Sequence, residues 1–292
     1  MTNDGPTRVR GGADRGPRER PPAPEPLPHP VADTHCHLDI ADPPEDWLGV
    51  DDALAAAAAV GVPRIVQIGC DLPGARWAVE TASRYEQLVA GVALHPNEAP
   101  RLAGSGRLDD ALAEIDRLAA YDVVRAVGET GLDHFRTGPD GRAVQEDSFR
   151  AHIELAKRHG KALVIHDRDA HADVLRVLED AGAPDRVVFH CFSGDHDMAR
   201  YCAERGWWLS FAGTVTFKNA ASLRAALAVT PLDRVLVETD APYLTPAPYR
   251  GRPNASYLVP HTVRVMAEVL QTELTALCQA LDTNSDSAFG PW

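Results

Sequence analysis

The chain has 292 residues, of which 45% are hydrophobic, and a formal net charge of −13. This length and apolar content are enough for one catalytic domain with a single large core. The negative charge is opposite to the basic surface expected of a protein that holds duplex DNA through many phosphate contacts. It leaves phosphodiester hydrolysis open, because bound divalent cations can supply positive charge where a scissile phosphate lies.

Cysteine usage and hydropathy indicate the compartment. The five cysteines are an odd number without a CxxC spacing, which is typical of reduced thiols. The sequence shows neither a secretory apolar segment nor an apolar run of about 20 residues. We therefore expect a cytoplasmic protein that does not associate with membranes, and nothing in the sequence indicates an obligate protein partner.

Proline dominates the first part of the chain. Residues 1–30 contain six prolines between positions 21 and 30 and almost no large apolar side chains. Such a composition buries too little surface to offset the entropy of ordering, so it predicts a disordered tail. Residues 31–292 are then predicted to form the catalytic domain.

From Val31 onward, short apolar runs alternate with helical patterns, which indicates repeated βα units. The predicted strands are Val31 to His35, Arg64 to Ile68, Leu88 to Ala93, Val123 to Val127, Ala162 to His166, Val187 to His190, Trp207 to Ser210, and Val235 to Thr239. The intervening helical stretches include Asp51 to Val60, Asp109 to Ala120, Gln145 to His159, Ala170 to Ala181 and Ala220 to Val229. Eight repeats favour an α/β fold of the closed TIM (β/α)8 barrel type over an open doubly wound sheet. No GxGxxG or GxxxxGK[ST] loop supports the open sheet.

Polar residues recur where the predicted strands end. Active sites of barrels form at the carboxyl ends of the strands, because the βα loops converge there on one mouth. Four histidines and two carboxylates occupy these positions and are predicted to face the same opening as metal ligands. They are His35, His37, Glu129, His166, His190 and Asp240.

The His-x-His pair shows how such ligands can cooperate. In an extended segment, residues i and i+2 point to one side, so His35 and His37 can reach the same ion. With 12 histidines in the chain, this motif alone is weak, and the whole set carries the prediction. Six ligands exceed the needs of one catalytic zinc, which indicates two divalent cations. We expect His35, His37 and Asp240 on one cation, with His166 and His190 on the other and Glu129 as a bridge.

Five motifs in order resemble the TatD family of metal-dependent deoxyribonucleases. They are Asp33-Thr34-His35-Cys36-His37-Leu38-Asp39, Gly128-Glu129-Thr130-Gly131-Leu132-Asp133, His166-Asp167-Arg168, His190-Cys191-Phe192-Ser193-Gly194 and Glu238-Thr239-Asp240-Ala241-Pro242-Tyr243-Leu244. The resemblance extends from about Val31 to the C-terminus. It implies a barrel of the amidohydrolase type, two divalent metals held by the six residues above, and hydrolysis of phosphodiester bonds in DNA. His134-Phe135 stands where many relatives carry an aromatic pair.

Individual roles follow from position and chemistry. Asp240 is predicted to be the general base and Glu129 to share in catalysis, since a carboxylate at the mouth can contact both metal and water. Arg168 either binds a substrate phosphate or forms an ion pair with Asp133 or Asp167. His95, in a Leu-His-Pro segment, is predicted to contact substrate.

Two further residues near the predicted site have open or lesser roles. Glu238 either hydrogen-bonds a ligating histidine or forms a buried ion pair. Cys191, which follows a predicted ligand, is interpreted as a packed thiol and not as a nucleophile, because no activating partner lies at a suitable spacing.

Alternative activities remain open at this stage. A barrel glycosidase with Glu129 and Asp240 as its two carboxylates would leave four histidines unexplained. An amidohydrolase acting on a small ester, lactone or amide shares both barrel and metals. For a nuclease, we expect single strands or strand ends as substrates, for example in 3′-5′ exonuclease action. Four imidazole ligands favour zinc, manganese, cobalt or iron over magnesium, whereas the resemblance implies activity with magnesium or manganese.

Overall fold

The computed structural model describes residues 5–9, 18–41 and 46–292. Strands and helices are numbered in chain order. The strands are β1 (Arg8–Val9), β2 (Ala32–Cys36), β3 (Ile40–Ala41), β4 (Arg64–Gly69), β5 (Leu88–Val92), β6 (Val124–Asp133), β7 (Ala162–Arg168), β8 (Val187–Phe189), β9 (Trp208–Phe211) and β10 (Val235–Val237). The helices are α1 (Val50–Ala59), α2 (Leu72–Ala82), α3 (Glu98–Gly104), α4 (Leu108–Ala119), α5 (Pro139–His159), α6 (His171–Ala181), α7 (His196–Glu204), α8 (Ala221–Val229), α9 (Val259–Leu270) and α10 (Leu274–Phe289).

Eight parallel strands form the barrel, in the spatial order β10-β9-β8-β7-β6-β5-β4-β2. The first and last of them meet just beyond their carboxyl ends, where Cys36 bridges Ala241 and the His37 N–H donates to the Ala241 carbonyl at 2.8 Å. The Thr34 hydroxyl donates to the Val237 carbonyl at 2.9 Å across the same seam. The predicted TIM (β/α)8 barrel is confirmed.

Alternating side chains of the strands build two apolar layers. On β4, Ile65 packs outward against the helices, whereas Val66 and Ile68 point into the barrel, as the period of two along a strand requires. Phe289 and Trp292, at the end of the chain, join the inner layer. The Trp292 indole donates to the carbonyl of Gln87, which directly precedes β5, so this segment lies at the amino ends of the strands. The opposite, carboxyl end carries the polar residues described below.

Strand β6 differs from the prediction in a way that matters for the site. It runs to Asp133 and not only to Val127, because it resumes pairing with β7 after a register shift between Gly128 and Thr130 and continues to the pair Asp133 and Arg168. Glu129 therefore lies at an irregularity inside the strand and not after its end. A β-bulge re-aims a side chain in this way.

Residues 18–30 of the proline-rich segment were predicted to be disordered, but in the structure they pack against the barrel. Leu27 is buried, with its N–H donating to the Val60 carbonyl, and the Tyr257 hydroxyl donates to the Pro21 carbonyl at 2.7 Å. The backbone carbonyls of this segment accept hydrogen bonds from the barrel, which composition alone does not reveal. Residues 1–4 and 10–17, which belong to the same predicted tail, lie outside the described residues. Among the helices that are described, none has the length and apolarity needed to span a membrane.

Candidate metal centre

The six predicted ligands come together at the carboxyl end of the barrel. Five strands position them, and β2 supplies two. His35 lies in β2 and His37 directly after it, Glu129 in β6 and His166 in β7, while His190 follows β8 and Asp240 lies three residues beyond β10. Parallel strands with their carboxyl ends at one mouth bring these distant sequence positions together.

One group of atoms has the spacing of ligands around a common ion. The Nε2 atoms of His35 and His37 are 3.2 Å apart, and His37 Nε2 is 3.3 Å from Asp240 Oδ1. His35 Nε2 lies 3.5 Å from Glu129 Oε2. Two ligand atoms each about 2.1 Å from a tetrahedral ion lie about 3.4 Å apart. His35, His37 and Asp240 are therefore grouped as the sequence predicted, with Glu129 beside them.

The second group surrounds the other oxygen of Glu129. His166 Nδ1 lies 2.6 Å and His190 Nε2 lies 2.8 Å from Glu129 Oε1. These are hydrogen-bond distances, so in this arrangement protons join the imidazoles to the carboxylate. Glu129 contacts both groups, one with each oxygen, which is the position expected of a bridging ligand.

Groups behind the histidines determine which nitrogen is available. His37 Nδ1 lies 2.9 Å from the Ile68 carbonyl, which can only accept, so Nδ1 carries a proton and Nε2 is the nitrogen left for a cation. His190 Nδ1 lies 3.1 Å from Glu238 Oε1, and His166 Nε2 lies 3.4 Å from Asp133 Oδ2. A carbonyl or carboxylate behind the ring fixes the tautomer and raises the basicity of a metal-binding imidazole.

The electrostatics of the cluster favour a cation. Burial by itself lowers the pKa of His37, but Asp240 and then Glu129 offset this and raise it to about 9. For His190, burial also lowers the pKa, yet Glu129 and Glu238 raise it well above its ordinary value. Burial raises the pKa of Glu129, whereas His190 and His95 bring it well below its usual range. The carboxylates thus hold positive charge at the centre, and a metal ion can replace the protons that supply it.

The residues present fit divalent metal ions. Four imidazoles and two carboxylates are a donor set suited to zinc, manganese or related cations. Three observations favour a bound cation: the spacing of the ligand atoms of His35 and His37, the protonated nitrogens behind the ligands, and the positive charge that the carboxylates stabilise.

His95 and Arg168, predicted to contact substrate, both lie at the mouth. His95 Nε2 is 3.5 Å from Glu129 Oε1, and its Nδ1 accepts the N–H of Asn97 at 3.1 Å. In the neutral ring, Nε2 therefore carries the proton, so His95 faces the centre as a donor. Burial lowers its pKa to about 3.

Arg168 ends β7, two residues after His166. Its guanidinium lies over the Phe135 ring, with Cζ 3.9 Å from the ring centroid. Neither carboxylate considered from the sequence pairs with it, since Asp167 binds His171 at 2.7 Å and Asp133 faces His166. This leaves the guanidinium available for a phosphate.

Local backbone conformation places several of these side chains. Asp240 and Cys191 adopt positive φ angles of 52° and 42°, a region that costs energy for residues other than glycine and is often found at functional sites. Gly131 has φ 135°, and a Cβ there would overlap the His166 carbonyl oxygen. The glycine lets β6 approach β7 closely beside the centre.

Sequence reasoning missed two residues that contact the ligands. Cys70 follows β4, and its thiol lies 3.3 Å from Glu129 Oε2. Asp133, considered only as a partner for Arg168, instead lies behind His166. The position of Cys70 directly after a barrel strand was the signal that could have identified it. Cys191 contacts the centre through its backbone, since its N–H donates to Glu238 at 2.8 Å.

This combination of fold and site defines a class of protein. A barrel with imidazoles and carboxylates gathered at the carboxyl ends of its strands is the architecture of metal-dependent hydrolases. Comparisons with known proteins specify the family within that class.

Residues 32–290 match the family model described as TatD related DNase. The metal-dependent hydrolase TatD of Mycobacterium tuberculosis is 46% identical over 264 residues, which cover 89% of this chain and 98% of the relative. The hydrolase YcfH of Escherichia coli is 37% identical, covering 87% and 93% of the two chains. The crystal structure of YjjV, a TatD homologue from E. coli, superposes with a TM-score of 0.81 at 28% identity, over 90% of this chain and 98% of that one. The chain belongs to the TatD family of metal-dependent hydrolases.

Proposed function

We propose that the chain is a deoxyribonuclease that hydrolyses phosphodiester bonds of DNA, acting on single strands or strand ends. The observation that carries this proposal is the position of the Glu129 carboxylate between the two groups of ligands, with His35 near Oε2 and His190 near Oε1. Such a site suits a pair of cations, and His35, His37, Glu129, His166, His190 and Asp240 would hold them. Bound cations would lower the pKa of the attacking water and neutralise charge on the phosphate.

Asp240 is proposed as the general base. Its side chain is 14% exposed, whereas that of Glu129 is 5% exposed, so Asp240 is the carboxylate that water and substrate can reach from the mouth. Its pKa is lowered, because His37 and His190 outweigh the effect of burial. The carboxylate is therefore ionised at neutral pH and can accept a proton.

His95 and Arg168 supply the substrate contacts. The proton on His95 Nε2 points to the centre and can be donated in a hydrogen bond to a phosphate oxygen. Arg168, which no described carboxylate neutralises, can bind a phosphate with two parallel N–H groups. These donors offset part of the repulsion between an acidic protein and a polyanionic substrate.

End-labelled oligonucleotides provide the test. Metal-stripped protein is reloaded with Mn²⁺, Mg²⁺ or Zn²⁺ and assayed on single-stranded, blunt duplex and closed circular DNA, beside a panel of esters, lactones and amides. We expect metal-dependent cleavage of single strands, shortened stepwise from the 3′ end, and slower cleavage of closed circles. Hydrolysis of a lactone or amide without cleavage of any DNA would instead assign the second candidate function, that of a small-molecule amidohydrolase.

A further inference from the structure

An exposed aromatic ring stands at the mouth of the barrel and has no structural role in the core. Phe135 is 62% exposed, and only Val9 and Tyr121 are comparably exposed among the large apolar side chains of the described residues. It follows β6 by two residues, on the loop that leads to α5. An exposed phenylalanine forfeits the free energy of burial unless another molecule covers it.

Pairing between β6 and β7 fixes the surroundings of this ring. Asp133 pairs with Arg168, and the N–H of His134 donates to the Arg168 carbonyl at 2.9 Å. The chain then turns so that the guanidinium lies over the ring, with Cζ 3.9 Å from the ring centroid. The cation therefore covers one face of Phe135, and the exposed area belongs to the remainder of the ring.

We propose that Phe135 is a base-stacking residue, on which a nucleobase of single-stranded DNA packs while Arg168 binds the adjoining phosphate. This inference rests on the proposed nuclease function and adds a residue that determines the preference for single strands. A nucleobase stacks on an aromatic ring or on a guanidinium, and such stacking does not depend on sequence. In intact duplex the base faces are covered by neighbouring base pairs, so the ring favours unpaired nucleotides.

Charge supports a nucleic acid as the occupant of this surface. The guanidinium of Arg168 has no described carboxylate within ion-pair distance, and it lies two residues from His166. An aromatic ring beside an unneutralised cation matches the alternation of base and phosphate along a DNA strand. A neutral apolar partner would leave that cation without a counter-charge.

The chain offers a matched control in Tyr121. This aromatic side chain is 55% exposed, close to the value for Phe135. It precedes β6 and so lies at the amino end of the barrel, opposite to the metal centre. Tyr121→Ala removes an equally exposed ring without touching the mouth.

The experiment compares Phe135→Ala, Phe135→Trp, Tyr121→Ala and wild type on two oligonucleotides. One is an ordinary single strand, and the other carries abasic sites in the two nucleotides that flank the cleaved bond. Stacking is worth about 1–3 kcal/mol per base, so we expect Phe135→Ala to lower kcat/KM about tenfold on the ordinary strand, mainly through KM. Phe135→Trp should restore cleavage and Tyr121→Ala should leave it unchanged. On the abasic strand, Phe135→Ala and wild type should be equal.

A binding measurement separates this inference from the nuclease function. The probe is a single strand with 2-aminopurine at its reacting end. Its fluorescence should fall when it binds to the Asp240→Asn variant with Mg²⁺, because the base stacks on Phe135. The double variant Asp240→Asn, Phe135→Ala should bind the strand without this loss of fluorescence. Equal losses of kcat/KM on both strands, or no loss on either, would overturn base stacking while the nuclease function stands. If Phe135→Ala abolished a dimer on size exclusion but left cleavage unchanged, the ring would belong to a protein–protein contact, and this result would also overturn base stacking. A wild type that cleaves no DNA would refute the nuclease function and this base site with it.

Discussion

His190 and His95 are both largely buried and both have Nε2 near the same oxygen of Glu129, but they differ in the group that contacts their Nδ1 atom. His190 has a carboxylate behind it, so Nδ1 holds a proton, and a cation that displaced the proton between Nε2 and Glu129 would find a lone pair on Nε2. His95 has a backbone N–H behind it, so Nδ1 accepts and Nε2 holds the proton. The group behind the ring, and not proximity to Glu129, distinguishes a metal ligand from a hydrogen-bond donor.

A third histidine extends the comparison away from the site. His152, in α5, is fully buried between neutral groups: its Nε2 accepts the Leu94 N–H at 3.1 Å, and its Nδ1 donates to the Ser148 carbonyl at 2.7 Å. Burial lowers its pKa to about 4. Of these three histidines, His190 lies between two carboxylates, which raise its pKa, whereas His95 and His152 each accept a backbone N–H and have lowered pKa values, so they should respond differently to substitution.

The largest effect is expected at Asp240, the carboxylate that raises the pKa of His37. Asp240→Asn retains a side-chain oxygen but cannot accept the proton of the attacking water. Because a positioned general base contributes about 10²–10⁴-fold in rate, kcat should fall by that factor while bound metal falls little. Asp233→Asn, in an exposed ion pair before β10, is the control and should keep wild-type kcat. Near-normal turnover in metal-loaded Asp240→Asn would disprove the general-base role.

A smaller effect is expected behind His190. Glu238→Gln can still accept the N–H groups of His190 and Cys191, but it loses the negative charge that makes the imidazole basic. Removing such a partner typically lowers metal affinity about 10–100-fold. Competition with a chromophoric chelator measures this affinity directly. An unchanged metal affinity would mean that the carboxylate only fills space behind the ring.

His95 should behave as a donor and not as a ligand. His95→Ala is expected to lower kcat/KM about tenfold, as loss of one hydrogen bond to a charged oxygen does, and to leave the bound metal unchanged. His166→Ala should instead lose metal and recover part of its activity at high metal concentration. Metal analysis of both variants decides the point, since loss of a metal equivalent from His95→Ala would make His95 a ligand.

The smallest effect on activity, but a clear one on stability, is expected at His152. Its folded pKa of about 4 lies below the ordinary value of 6.5, so between these values the unfolded chain binds the extra proton. This contribution to stability is complete above pH 6.5 and is lost as the pH falls towards 4, by at most about 1.4 kcal/mol per pH unit. His152→Gln should flatten that part of the stability profile in urea unfolding. An unchanged slope between pH 4 and 6.5 would contradict the assignment.

Sequence periodicity was sufficient for the barrel, because each strand is a short apolar run whose own pattern reports its burial. Each of the eight predicted strands overlaps a barrel strand. The extension of β6 to Asp133 could not be predicted, since it depends on pairing with β7 after an irregularity. The order of residues 18–30 could not be predicted for a related reason. One leucine of this segment is buried against the barrel and several of its backbone carbonyls accept hydrogen bonds from it, and amino-acid composition gives no information about such contacts.

For the site, strand-end placement identified the residues that converge, but not the groups behind them. Glu238 and Asp133 act through distances to His190 and His166 that only the closed barrel defines. The proton position on His95 likewise depends on one backbone N–H, which has no sequence signature. For Arg168, the sequence could not show that Asp167 pairs with His171, and phosphate binding by Arg168 stays a prediction.

Counting the metal ions bound per chain tests the account most directly. Metal-free wild-type protein is titrated with Mn²⁺ at pH 7.5, and the bound equivalents are followed by calorimetry and confirmed by elemental analysis after gel filtration. Since Glu129 carries a ligand group on each oxygen, we expect two equivalents for the wild type and fewer for Glu129→Ala. Wild-type protein that binds no manganese, or that binds the same two equivalents after Glu129→Ala, would contradict a centre built around this carboxylate.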